Sequence, residues 1–340
     1  MKPLVLPSIS CQADVVQYLS NAIVSQLKGL ECPSIALGIQ WPLAASAEDI
    51  AQWRQTIQFP LAQSIAQSLD ARIDFEQPAL WLTVSFDAKT VSFQWLPLYV
   101  RGHYTKLQRT IAQTRHDCRL CRGKGCSQCQ HTGKTTKDSV QELLAGVALP
   151  YFGAIALVFH GAGREDVDVR MLGSGRPFIM ELAEPRYRSK PLLDLEQSIN
   201  QAFQGKVQVS KLCFVPPSAV ATLKQSQHEK EYEALVSLGS PADVGALYPF
   251  LNQPLAIQQR TPKRVSKRRS DALRSHAVTL LSAQRVDKRH VRIRLRTSHG
   301  TYVKEWISGD DGRTTPSLAS LWGVACACAE LDVLAILDGN

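Results

Sequence analysis

Val15, Val16, Leu19, Ile23 and Leu27 recur at helical spacing and predict an amphipathic helix within residues 12–30. A weaker form of the same pattern runs through 47–57 and 61–69, with Pro60 as a predicted interruption. Residues 79–86 and 90–100 are rich in β-branched and aromatic side chains around Asp87-Ala88-Lys89, which predicts a hairpin. The first hundred residues therefore read as a small α+β module. Beyond them, 139–144 predicts a helical connection, 147–159 an apolar core run, 192–203 an amphipathic helix closing at Gly205, and 207–215 a strand. A helix starts at Pro216-Pro217-Ser218, and 232–236 is short and extended. Strands are predicted at 276–286 and 291–296 about a turn at 287–290, and again at 301–307. A turn at 309–313 then leads to a helix over 316–330, which puts Cys326 and Cys328 on different helix faces. No internal repeat or low-complexity tract interrupts the chain.

One stretch carries a different pattern. Residues 160–178 read HGAGREDVDVRMLGSGRPF, and from Arg164 onward charged and apolar residues alternate with the period of a strand. Arg164, Asp166, Asp168 and Arg170 then share one face, opposite Val167 and Val169. A surface ladder of cross-paired charges has the same parity. Gly161 and Gly163 precede the predicted strand and Gly173 and Gly175 follow it, which permits tight turns or close approach to something large. A carboxylate flanked by two arginines is held ionised, as a nucleophile or an electrostatic stabiliser must be. Asp166 and Asp168 are the first candidates for chemistry.

Composition narrows the class. A chain of 340 residues with 44% hydrophobic content can bury sizeable cores, and its length suggests two or three domains. The longest apolar run, 147–159, is short and contains Pro150, so it reads as core and no membrane span is expected. Residues 1–9 carry one lysine, two prolines and no adequate apolar stretch, which argues against a secretory signal and for a cytoplasmic protein. Nine cysteines fit reduced thiols or metal ligands better than a disulfide framework. Four of them, Cys118, Cys121, Cys126 and Cys129, form two CxxC pairs four residues apart, each able to offer two thiolates to one tetrahedral zinc, with His131 near enough to replace one. Such a zinc is structural, because four protein ligands leave no open position.

Charge is unevenly spread. The net charge is +9, yet residues 260–304 hold fourteen Lys/Arg against two Asp, a local +12, and 101–137 hold nine against one, a further +8. Two basic segments on an otherwise acidic chain have the form of a phosphate footprint, with ordinary solvated faces as the alternative. In 291–296, Arg292, Arg294 and Arg296 line one strand face, for which phosphates are the natural counter-charge. Arg260, Lys263, Arg264, Lys267 and Arg268 belong to a loop that reads as docking on a nucleic-acid backbone or, failing that, as a basic linker.

Several long motifs together resemble a known family. GREDVDVRMLGSGRPF (163–178), QQRTPKRVSKRRSDALR (258–274), GTYVKEWISGDDGRTTPSLASL (300–321), CRLCRGKGCSQCQHTGK (118–134) and PLYVRGHYTKLQR (97–109) look like the archaeal and eukaryotic tRNA pseudouridine synthase ten family. The resemblance covers roughly residues 80–337. It implies an α+β fold: a pseudouridine synthase catalytic domain with a mixed, mainly antiparallel sheet over 136–340, preceded by a THUMP-like RNA-binding domain over 1–115 and a zinc segment over 116–135. It also implies isomerisation of uridine to pseudouridine in the T-arm of tRNA, at position 54 and/or 55. No catalytic cofactor, membrane or obligate protein partner is expected. By the same resemblance Asp166 is the nucleophile and Arg164 its pairing arginine. Tyr232, in KEYEAL, stacks on the target base, Tyr302 is a second substrate-contacting tyrosine, and Lys304 and Leu331 are a basic and an apolar active-site residue. Two other classes remain open at this point: a metal-dependent transferase using Asp166-x-Asp168, and an inactive RNA-binding or chaperone module.

Overall fold

In the computed structural model, which describes residues 3–5, 14–266 and 269–337, the chain divides into two compact units. Met1–Tyr99, Ala145–Val158 and Met180–Leu195 make up the first, and Val100–Leu144, Phe159–Ile179 and Glu196–Asn340 the second. The division differs from the expected boundaries at 115 and 135, because two later segments return to the first unit while 100–144 joins the second. Contiguous boundaries drawn along a sequence cannot anticipate such returns.

The first unit carries a five-stranded sheet in the order β1 (Leu4–Val5), β5 (Thr90–Trp95), β4 (Leu80–Ser85), β2 (Ser34–Gln40), β3 (Arg72–Ile73). Helices α1 (Val15–Leu27), α2 (Ala47–Trp53) and α3 (Phe59–Leu69) accompany it. The helical periodicity is used as predicted: Leu19 and Ile23 of α1 and Leu61 and Ile65 of α3 are fully buried with Ile35, Leu80 and Leu82 of the sheet. Pro60 does not break the run. It sits in the first turn of α3, where its missing N–H costs little, behind a π turn at Arg54–Gln58.

The remaining elements are β6 (Leu98–Lys106), α4 (Val140–Phe152), β7 (Ala156–Gly161), β8 (Val169–Ala183), α5 (Leu192–Ala202), β9 (Val207–Phe214), α6 (Ser218–Gln225), β10 (Lys230–Leu238), β11 (Pro254–Arg260), β12 (Leu273–Arg285), β13 (His290–Thr297), α7 (Val303–Ser308), β14 (Thr314–Thr315), α8 (Leu318–Trp322) and β15 (Cys326–Ile336). Their strands form a ten-stranded sheet ordered β14-β11-β12-β13-β10-β15-β8-β6-β9, with β7 on β8. The pairing is mainly antiparallel, with a parallel pair where Leu331, Asp332 and Val333 of β15 meet Val169, Arg170 and Met171 of β8. The fold is thus the expected α+β class with a mixed sheet. Among the described residues no helix is long and apolar enough to cross a membrane.

Three local expectations fail. Residues 162–168 form a loop ahead of β8 and not a strand. Residues 303–308 are helical, since Val303, Trp306 and Ile307 bury themselves at i, i+3 and i+4. The helix expected over 316–330 stops at Gly323, in the left-handed region at φ +71°, and 326–336 becomes the strand β15 between β10 and β8. Cys326 and Cys328 therefore lie two residues apart on a strand.

A charge cluster ties β8 to β15. Asp332, whose side chain is 8% exposed, accepts from Arg109 Nη1 at 2.6 Å and from Arg170 Nε and Nη2 at 2.9 and 2.5 Å. Burial alone would raise its carboxyl, but the two guanidinium groups outweigh this and hold it below the ordinary range. Such a depressed carboxyl contributes stability above the ordinary carboxylate range and loses it as pH falls through the folded-state value. Asp332→Asn should therefore cost about 3 kcal/mol in urea unfolding at neutral pH, the low end for breaking a buried pair because both arginines reach solvent. The gap to the wild type should close as pH drops well below about 4. Equal urea midpoints at neutral pH would mean that this cluster does not hold the two strands.

Candidate active site and metal centre

Asp166 lies in the loop 162–168, and the parallel β8–β15 pair begins directly after it at Val169. The residue before it, Glu165, points inward. Its carboxylate accepts the Tyr104 hydroxyl at 2.8 Å and pairs with Arg176 Nε at 2.8 Å, with Glu165 1% and Arg176 2% exposed. Gln113 Nε2 donates to the Tyr104 oxygen and to the Gly163 carbonyl, and Arg176 Nη1 to the Ala162 carbonyl. The strand-like alternation fails because Glu165, at an apolar parity position, is satisfied by a buried arginine.

With Glu165 turned in, the Asp166 carboxylate is left 40% exposed between two cations. Arg264 Nη1 approaches it at 3.1 Å and Lys304 Nζ at 3.3 Å. Arg264 is itself aimed by Glu305, a buried carboxylate 2.5 Å from Nε, and lies 5.9 Å from the centre of the Tyr302 ring. Lys304 also holds Asp168, donating to both of its oxygens at 2.8 Å. Burial would raise the Asp168 carboxyl, but the Lys304 ammonium more than offsets this and lowers it. Lys304 and Glu305 are adjacent on α7, which begins after Tyr302 and ends at Gly309 (φ +86°). Gln259, 2% exposed on β11, fixes that beginning: its side chain accepts from the Tyr302 amide at 2.8 Å and donates to the Tyr302 carbonyl at 3.0 Å.

The expected pairing of Asp166 with Arg164 is not observed. Arg164 is exposed and its Nη2 lies against His116 Nε2, so the cation on Asp166 comes instead from Arg264, a residue expected to touch RNA. Tyr232 is on the buried face of β10, 9% exposed, sharing a hydrogen bond with Thr297. Burial pushes its hydroxyl up to about 12. Leu331 is buried on β15 opposite Ala234, on that same face of the sheet.

The arginine row belongs to the other face. Arg292, Arg294 and Arg296 are exposed, alternating with buried Val291, Ile293 and Leu295. Their counter-charges include protein carboxylates. Glu231 faces Arg296 at 2.7 Å and Glu233 reaches Arg292 at 3.6 Å, both from β10, whose KEYEAL alternation supplies acids opposite the bases. Arg294 forms no ion pair among the described residues. In the 260–270 loop Arg260 pairs with Asp271 at 2.7 Å and Lys263 with Asp311 at 2.5 Å, while Lys267 and Arg268 lie outside the described residues. The glycines of LGSGR serve neighbouring strands: a Cβ at Gly173 (φ +59°) would collide with the Leu334 carbonyl, and one at Gly175 (φ +81°) would lie 2.8 Å from the Tyr104 carbonyl oxygen.

The cysteine cluster is independent of this site. The four sulfurs of Cys118, Cys121, Cys126 and Cys129 lie within 4.8 Å of one another, with pairs at 3.9, 3.8 and 3.7 Å. Bonds of about 2.3 Å in a tetrahedron require sulfurs about 3.8 Å apart, so the set fits a thiolate-bound metal. Amides of Gly125, Cys126 and Gly133 donate to the sulfurs of Cys121 and Cys129 at 3.1–3.3 Å, as donors around a thiolate metal site do. His131 is not part of the set.

With this geometry in hand, comparison with known proteins is decisive. Residues 99–337 match the family model described as Pus10, C-terminal. The chain belongs to the Pus10 family. It is 39% identical over 331 residues to the tRNA pseudouridine synthase Pus10 of Methanothrix thermoacetophila, covering 94% of this chain and 73% of that protein. The protein of the same name from Methanothermobacter marburgensis is 42% identical, with 81% and 69% covered, and that of Korarchaeum cryptofilum 36%, with 92% and 88% covered. The 99–337 match begins almost where the second unit begins, so the Asp166 site and the cysteine cluster both lie within it.

Purified protein should carry about one metal ion per chain. Gly133→Ala should lose it, because the added Cβ, at φ +71°, would collide with the carbonyl of Gly123, which lies between the two CxxC pairs. A folded, metal-free wild type in elemental analysis would refute the assignment.

Proposed function

We propose that this chain isomerises uridine to pseudouridine in the T-arm of tRNA, at position 54 and/or 55, with Asp166 as nucleophile. The observation that carries the reading is the half-exposed Asp166 carboxylate held between Arg264 and Lys304, in a member of the Pus10 family. The reaction breaks the N1–C1′ bond and forms a C5–C1′ bond; N1 gains a proton and C5 loses one. Nothing is oxidised or reduced, so no catalytic cofactor is called for. Arg264 and Lys304 bracket the carboxylate that must meet C1′ as the base departs. The target base has to leave its stack, and Tyr232, Tyr302 and Leu331 are the aromatic and apolar groups assigned to receive it, with Lys304 the basic residue of the site.

In this reading the metal of the four cysteines is a structural zinc. The first unit is a THUMP-like RNA-binding accessory, and the protein works in the cytoplasm without an obligate protein partner. A divalent-metal transferase built on Asp166 and Asp168 is disfavoured, because a cation there must displace Lys304 from both carboxylates. An inactive RNA-binding module predicts no turnover at all.

Treating one tRNA transcript with purified protein and mapping pseudouridine decides among these. Asp166→Asn should abolish the product while tRNA affinity stays within a few fold; retained turnover would move the role to Asp168. Arg264→Ala should slow single turnover about 10²-fold or more, as loss of a preorganised charge contact does. Arg164→Ala should stay near the wild-type rate, and the reverse order would restore Arg164 as the partner of Asp166.

The ion pairs on the sheet's outer face predict a graded salt response. Arg294→Ala should flatten the slope of log K against log salt by about one unit if that arginine meets a phosphate. Arg296→Ala should change the slope much less, since Glu231 already neutralises it. Equal slopes for both variants and the wild type would remove this face from the RNA footprint.

A further inference from the structure

Lys106 is the last residue of β6 and is fully buried. It occupies the inward parity of the strand with Val100, Gly102 and Tyr104. An ammonium taken out of water needs partners, and no carboxylate among the described residues lies within ion-pair distance of this one. Its three donors meet three carbonyl oxygens instead: Ile111 at 2.7 Å, Val167 at 3.0 Å and Asp166 at 3.1 Å. Two of the three belong to consecutive residues of the loop that presents the Asp166 carboxylate. The Asp166 carbonyl also accepts the Val169 amide at 3.2 Å, closing the turn from which β8 departs. Burial pushes the ammonium down to about 8, opposed by Glu165, Asp168 and Asp166 and reinforced by Arg176. An apolar side chain would fill the place with no such desolvation cost, so the retained charge points to a task.

We propose that Lys106 is a positioning residue that clamps the backbone at Asp166 and Val167 and so aims the Asp166 carboxylate between Arg264 and Lys304. The inference rests on the assignment of Asp166 as the reacting group. β6 supplies both supports of the loop from one face. Tyr104 holds Glu165 by its side chain, and two residues on, Lys106 holds Asp166 by its main chain. The loop is thereby fixed around the Asp166 carboxylate, which faces outward. Lys106 itself is too deeply buried to meet an RNA phosphate, which separates its role from that of the surface bases.

The test compares full-length Lys106→Met with the wild type in single-turnover pseudouridine formation at saturating enzyme, and in equilibrium tRNA binding. Methionine keeps an unbranched chain and removes every donor. The expected result is a loss of about a hundredfold in single-turnover rate, the scale of a 1 Å misplacement of a reacting group, with Kd for tRNA within a few fold. Wild-type rate in the folded variant, or equal losses in rate and binding, overturns the clamp. If Lys106→Met does not fold, Lys106→Arg serves: it keeps the buried cation, but a planar guanidinium cannot converge on three carbonyls from one atom. A folded Lys106→Arg protein with the wild-type rate overturns the proposal equally. Asp166→Asn run alongside keeps the two readings apart. If it retains turnover, the assignment of Asp166 fails and the clamp fails with it; if it is inactive while both Lys106 variants turn over normally, only the clamp fails.

Discussion

The ion pair between Glu165 and Arg176 is the constraint on which the site depends. Both charges are almost wholly removed from water, and neither can be left without the other. Tyr104, Gln113 and the Ala162 carbonyl take up further hydrogen-bonding capacity around them, which is the condition under which a buried pair can persist. A hydrophobic replacement of the whole group would be at least as stable, so stability alone does not explain it. What the pair does is turn one residue of a short loop inward. The next residue, Asp166, must then face out, with only the length of a peptide unit separating a neutralised carboxylate from an available one.

The same sheet keeps two kinds of charge apart. On the buried side of β10 lies Tyr232, with Leu331 on β15 facing the same way; on the other side stand Glu231 and Glu233, opposite the arginines of β13. Cross-strand pairs of this kind are worth tenths of a kcal/mol to about one, so their energetic contribution is small. Their larger consequence is that Arg292 and Arg296 present less positive charge than a count of bases implies. A local excess of positive residues is therefore an upper bound on what RNA can meet.

What was legible in the sequence follows from the range of each interaction. Period-two alternation marked β13, and helical spacing marked α1 and α5, because those signals sit within a few residues. The cysteine spacing was legible for the same reason, since all four ligands come from twelve consecutive residues. Pairings that close across about a hundred residues or more were not: Arg264 with Asp166, Arg109 with Asp332, and the reach of β15 to both β10 and β8. Arg164 was expected beside Asp166 because the family resemblance implied it, whereas the chain brings Arg264 there from 98 residues away. Residues 164–170 read as a strand because charged and apolar types alternate there, although the buried member, Glu165, is one of the charged ones. One missed residue did leave a trace. Lys106 falls on the inward parity of β6 after Val100, Gly102 and Tyr104, and a lysine at an apolar position is a buried charge in search of acceptors.

Counting charges around Asp166 gives the last step. Asp166, Asp168 and Glu305 face Arg264 and Lys304, leaving one negative charge, and the buried Lys106 behind the loop brings the group to neutrality. A neutral group suits a site that must admit a polyanion. A net negative site would repel the phosphates flanking the target nucleotide, and a strongly positive one would draw them onto Lys304 or Arg264 and away from the position in which those cations hold Asp166. One ammonium serves two carboxylates, Lys304 reaching both Asp166 and Asp168, while Arg264 is tethered by Glu305 beside Asp166. The tethered cation is then fixed beside Asp166, and the shared cation is the one whose hold is divided between two carboxylates.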